Sequence, residues 1–80
     1  MVALKFVPNA GFVAVSEAEL AEAVRVLLRT THNLAEGAGA AGLAGLLALR
    51  EKLREKTVAI VISGGNIDEV TLRRVLTHEL

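Results

Sequence analysis

Cysteine is absent from these 80 residues. That removes a disulfide framework, a thiolate zinc site and a cysteine nucleophile together. Tryptophan and tyrosine are absent too, and two phenylalanines are the only aromatics. No charge of one sign prevails: nine basic and nine acidic side chains cancel, so no net field argues for nucleic acid or an anionic membrane surface. No uninterrupted apolar run approaches the roughly 20 residues that span a bilayer. The first residues carry Lys5 but no signal-peptide architecture. Gly-x-Ser-x-Gly and a lysine-bearing phosphate loop are missing, which leaves hydrolase and nucleoside-triphosphate readings unsupported. The lack of thiols fits a reducing compartment, and the expectation is a soluble cytoplasmic protein with no nucleic-acid or membrane partner.

What the chain does have is aliphatic bulk. Hydrophobic residues make up 52% of it, mostly Ala, Val and Leu, and the mean hydropathy is +0.49. A single domain of this size buries only roughly 60–65% of the surface its unfolded chain exposes. The apolar supply exceeds what so small a sphere can hide.

Along the chain, residues 1–11 read as an irregular or briefly extended lead-in closed by Pro8-Asn9-Ala10-Gly11. Phe12-Val13-Ala14-Val15 is a short strand. Ser16 and Glu19 form an S-x-x-E capping box, and Leu20, Ala23, Val24, Leu27 and Leu28 recur at helical spacing to about Arg29. Thr30-Thr31-His32-Asn33 breaks that helix. A second helix is predicted from Gly37 to about Glu55. Its first half carries no charge on any face, the pattern of a buried helix, whereas Arg50 to Lys56 is charged and solvent-facing. Val58 to Ile62 is a continuous apolar run, as in a strand covered on both faces. A last helix is predicted from Ile67 to about Thr77.

The expected order is β-α-α-β-α, an α/β fragment whose two strands would be parallel and joined by a right-handed crossover. Two such strands do not stand alone, and the covering layers they demand are not supplied by this chain. The chain is therefore expected to be a single incomplete α/β domain over 1–80, which either self-associates or belongs to something larger.

Three local patterns invite chemistry. Gly37-x-Gly39-x-x-Gly42 matches a dinucleotide fingerprint, but the preceding Thr30 to Glu36 is polar and follows a helix rather than a strand. Ala38, Gly42 and Gly45 read more simply as a small-residue face for close backbone packing. Glu36 either interacts with the positive end of the following helix or projects into a ligand site at its mouth. Ser63-Gly64-Gly65-Asn66 ends the apolar run. It is either a ligand-binding turn whose glycines allow close approach and an N–H nest, or a plain connector with Ser63 or Asn66 as helix cap. His32 and His78 lack metal-ligand spacing and read as surface groups; no metal site is expected.

Taken together, three stretches resemble one enzyme family, the pyridoxal-phosphate-dependent threonine and serine dehydratases, serine racemase among them. Phe12 to Ala23 is similar to the strand and Ser-capped helix that open the C-terminal segment of its catalytic domain. Glu36-Gly37-Ala38-Gly39-Ala40-Ala41 resembles its Glu-Pro/Gly-Ala-Gly-Ala helix start, and Val61 to Asp68 resembles its Ser-Gly-Gly-Asn-Val/Ile-Asp turn. Order and spacing agree over roughly residues 12–76.

The resemblance implies a piece of the three-layer α/β large domain of a pyridoxal-phosphate enzyme of the tryptophan-synthase-β-like group. It implies Ser63 at the cofactor's pyridine nitrogen, Gly64 and Gly65 allowing close approach, and Glu36 near the ring. A serine there would not hold the ring nitrogen protonated as an aspartate would, giving a milder electron sink suited to β-elimination. The family's cofactor-binding lysine lies in a Ser-Phe-Lys-type segment, and its phosphate sits in a glycine-rich loop. Lys5, Lys52 and Lys56 have no such context, so the 80 residues hold no catalytic residue and should not catalyse alone. A complementary upstream catalytic segment, or a second copy, is the implied partner. The competing readings are a free-standing self-associating α/β interaction module and a dinucleotide-binding fragment.

Overall fold

The computed structural model describes residues 2–5 and 12–80; the turn expected at residues 8–11 lies outside them. Strand β1 (Val2–Lys5) pairs antiparallel with β2 (Phe12–Val15), in a register that sets Val2 opposite Val15 and Lys5 opposite Phe12. Alternation along β2 exposes Ala14 and buries Val15 completely, the two-residue period of a strand with one covered face.

Ser16 then turns the chain into helix α1 (Glu17–Thr31). The capping box is complete. Ser16 Oγ accepts from the Glu19 N–H at 3.1 Å, and Glu19 Oε1 accepts from the Ser16 N–H at 2.9 Å. Leu20, Ala21, Ala23, Val24 and Leu27 line the buried face. The helix stops at His32, whose N–H still donates to the Leu28 carbonyl and whose left-handed φ of 58° turns the following chain off the helix axis.

The second helix is much shorter than expected. A 3-10 turn over Ala38–Ala40 leads into α2 (Ala41–Ala48), after which residues 49–55 form turns. Gly42 and Gly45 each weaken a helix by about 1 kcal/mol relative to alanine, and the charged stretch beyond Arg50 has little apolar face to dock. Nor is α2 buried all round: Ala41, Ala44 and Gly45 are covered, while Leu43, Leu46 and Leu47 are half-buried. Helix α3 (Glu69–Leu76) begins two residues later than expected because Asp68, rather than Ser63 or Asn66, is its cap.

The strand expected over residues 58–62 is not formed. The sheet described has two strands, β1 and β2, so no parallel pair or crossover is seen among the described residues. The apolar character of this run is intact, but a strand needs an edge to bond to. Instead Val58, Ile60, Val61 and Ile62 are exposed, Val61 to 82%.

The core is built mostly of small side chains from β2, α1, the 35–44 segment and α3: Val15, Leu20, Val24, Leu27, Ala40, Ala44 and Val75 are its main members. Arg25 ties α3 to α1. Its Nη1 donates to the Val75 carbonyl at 2.7 Å while its Nε meets Glu22 Oε1 at 2.9 Å. A cation at the last turn of α3 also complements that helix's dipole.

Candidate functional site

The residues singled out at the two glycine-rich segments come together although they lie nearly thirty positions apart. The N–H of Glu36 donates to the Gly64 carbonyl at 2.6 Å, and the N–H of Ser63 donates to the Gly39 carbonyl at 3.3 Å. These two bonds clasp the 63–65 turn to the segment entering α2. Within the turn, the Ile67 N–H closes back on the Gly65 carbonyl at 3.1 Å.

Two glycines make the clasp possible for different reasons. Gly64 has φ +71°, the left-handed region that side chains disfavour, and a Cβ there would lie 2.8 Å from Glu36 Cγ and 3.0 Å from Glu36 Oε1. At Gly39 the constraint is contact alone: a Cβ would overlap the Ser63 carbonyl oxygen and stand 2.6 Å from its carbon. Gly37, in the same motif, meets nothing within 4 Å. In the sequence Gly39 stands out only as the middle glycine of the Gly37-x-Gly39-x-x-Gly42 pattern and as part of the family-like Glu36 to Ala41 stretch; its contact with Ser63 carries no local signal.

Glu36 is half-buried, and Ser63, Gly64 and Gly65 are exposed. Neither the Ser63 hydroxyl nor the Glu36 carboxylate takes a side-chain hydrogen bond among the described residues. The carboxylate lying against Gly64 decides which kind of ligand the turn suits. A phosphate at that turn would meet a like charge at close range, which argues against the anion-nest reading. A neutral, hydrogen-bonding ring edge meets no such penalty at Ser63. The set present therefore fits the ring side of a pyridoxal-phosphate pocket. It does not provide the phosphate's cradle or a lysine for covalent attachment.

The remaining candidates stay apart from this turn. His32 and His78 are exposed, each in a left-handed conformation at the end of a helix. Gly42 packs against Ile60 and Val61. Among the described residues no cluster of three His, Asp or Glu side chains could hold a metal ion, and no helix is long and apolar enough to cross a membrane. A groove of about 280 Å3 between α1 and α2, lined by Glu19, Glu22, Val26, Ala44, Leu47, Ala48 and Arg50, lies away from the turn.

Residues 6–64 match the family model described as pyridoxal-phosphate dependent enzyme. Over 68 residues the chain is 47% identical to an L-threonine ammonia-lyase of Thermotoga maritima, covering 85% of this chain and 17% of that protein. A second L-threonine ammonia-lyase, from Geobacter sulfurreducens, is 49% identical over 69 residues, again 85% and 17% of the two chains. The catabolic L-threonine dehydratase TdcB of Staphylococcus aureus is 35% identical over 72 residues, 86% of this chain and 21% of the enzyme. The chain thus spans about a fifth of the length of the curated relatives it matches. No solved structure matches it significantly.

Proposed function

Since the chain belongs to the pyridoxal-phosphate dependent enzyme family, we propose that it forms one wall of the cofactor pocket of a threonine or serine ammonia-lyase and is inactive by itself. In the complete enzymes of this family pyridoxal phosphate supplies the electron sink for charge developing beside the amino acid's α-carbon. The carrying observation is the clasp, which sets Glu36 beside the Ser63-Gly64-Gly65 turn.

Each residue's part follows from its chemistry. Ser63 would donate or share a hydrogen bond at the pyridine nitrogen without fixing a charge on it. Gly64 and Gly65 would let the ring approach the backbone. Glu36 would contribute negative charge to the same wall and hold Gly64 through its own N–H. The phosphate, the covalent attachment and the α-proton base would come from a complementary upstream catalytic segment, and the complete protein would be cytoplasmic and convert threonine to 2-oxobutanoate and ammonia.

The test is a chimaera in which residues 12–76 replace the matching segment of the Thermotoga maritima enzyme. Ser63→Ala removes a neutral hydrogen bond worth roughly 0.5–1.5 kcal/mol and should slow elimination modestly. Ser63→Asp should slow it more by favouring the protonated ring. Equal rates for all three would leave Ser63 a plain connector. The 80-residue chain alone, given the cofactor with threonine or serine, should form oxo-acid no faster than free cofactor does.

A second reading rests on a different observation. Val58, Ile60, Val61 and Ile62 expose a contiguous apolar run, and such surface usually marks an interface. A self-associating, non-catalytic α/β module would cover it with a second copy.

A further inference from the structure

We infer that Gly39 is a positioning residue for Ser63: the absence of a side chain at 39 sets how deeply the 63–65 turn seats, and with it where the Ser63 hydroxyl stands. The inference deepens the pocket-wall reading and rests on it. Gly39 meets the turn twice. Its carbonyl accepts the Ser63 N–H at 3.3 Å, and its Cα faces the Ser63 carbonyl so closely that a Cβ has no room.

The obstacle is backbone on both sides, so no side-chain rotation relieves it. Gly39 is itself buried in the 3-10 turn that leads into α2, next to the core residues Ala40 and Ala41, and cannot retreat. The turn must move instead, because Ser63 to Gly65 is exposed and held chiefly by the two clasp bonds. A single methyl at 39 therefore displaces Ser63 and strains the Glu36–Gly64 bond. The same methyl at Gly37 points into open space and leaves both bonds intact. Two glycines two residues apart in one motif are thus assigned opposite tolerances.

Amide exchange in the 80-residue chain tests the clasp without any cofactor. Relative to each residue's intrinsic rate, the Ser63 and Glu36 amides of the unsubstituted chain should exchange about three- to tenfold more slowly than the Val61 and Ile62 amides, which donate no hydrogen bond among the described residues. Gly39→Ala should abolish that difference while the α1 amides of Leu20 to Leu28 stay protected, and Gly37→Ala should change neither. Equal protection at Ser63 and Val61 in the unsubstituted chain, each measured against its intrinsic rate, overturns the inference whether or not the alanine variant folds. So does a Gly39→Ala chain that keeps the Ser63 protection.

The chimaera supplies the second arm, read as the absorption band of bound pyridoxal phosphate and the pH dependence of that band. Gly39→Ala and Ser63→Ala should both shift the band, and Gly37→Ala should not. A shift in Ser63→Ala alone overturns the positioning role and leaves the pocket-wall reading standing. Lost protection with no shift in either variant overturns that reading and takes the positioning role with it.

Discussion

Residues 12–31 and residues 49–68 each pair a short β-branched apolar run with a helix-forming stretch, yet only the first segment is finished. Its strand has an antiparallel partner, its helix has a reciprocal cap, and its apolar face is covered by α2 and α3. The second has a strand's composition and no strand, with Val58, Ile60, Val61 and Ile62 exposed. Apolar sequence specifies structure only when the partner it needs is present. In the first segment that partner is close along the chain, and in the second it is not.

The sharpest way to break this comparison is to cut aliphatic surface from each region. Leu20 is 4% exposed and central to the core. Leu20→Ala should cost about 2–5 kcal/mol, enough to unfold a domain of marginal stability. Val61→Ser, at a position 82% exposed, should change stability by no more than about 0.5 kcal/mol. Chemical denaturation of the two variants reads the difference, and comparable losses would mean that the 58–62 run is buried in solution.

Burial in solution could come from a second copy. The unsubstituted chain at micromolar concentration should sediment above monomer mass, since exposed apolar surface of this kind seeks cover. Val61→Lys should return it toward monomer. Ala18→Lys, on the exposed side of α1, should not. A cooperative monomer for the unsubstituted chain would place the self-association reading in error.

A smaller effect isolates the cap that finishes the first region. Ser16→Ala removes the acceptor for the Glu19 N–H and should cost about 0.5–2 kcal/mol. The loss should appear as a lower midpoint in thermal or denaturant unfolding, and no change would show that the box is redundant with strand pairing.

The same contrast explains what could be read in advance. The cap and buried face of α1 follow from residues within four positions of one another: S-x-x-E at its start, and Leu20, Val24 and Leu27 along one side; its end lies at Thr31, two residues beyond the expected Arg29, because the break comes at His32 and not at Thr30. The full extent of α2 was misread because uniform apolarity signals burial but does not say whether Gly42, Gly45 and the charged turn beyond will support a helix. The run at 58–62 has the composition of a strand but not its state, since strand formation depends on a distant edge. At the candidate site, family resemblance pointed to Glu36 and Ser63-Gly64-Gly65, which the fold brings together. The Gly39–Ser63 contact, twenty-four positions apart, leaves no periodic trace.

The smallest expected effect lies at the junction of the two regions, where Asp68 caps α3 directly after the exposed segment. Its Oδ1 accepts the Thr71 N–H at 2.7 Å and its Oδ2 accepts the Thr71 hydroxyl at 3.0 Å. The backbone bond first, and the hydroxyl second, hold its carboxyl below the usual carboxylate range. Because the folded state favours the ionised form, Asp68 contributes stability above the unfolded value of about 3.9. That contribution is lost as pH falls through the lower folded value. The side chain is solvent-exposed, so the effect should be local. Acidification should loosen the Thr71 amide and fray the first turn of α3 while the α1 amides remain protected. In Asp68→Asn, which keeps an acceptor but no titrating group, the Thr71 amide should lose this pH dependence. An unchanged acid response in that variant would assign the fraying to another carboxylate, and the second region would then owe its only firm boundary to something other than its cap.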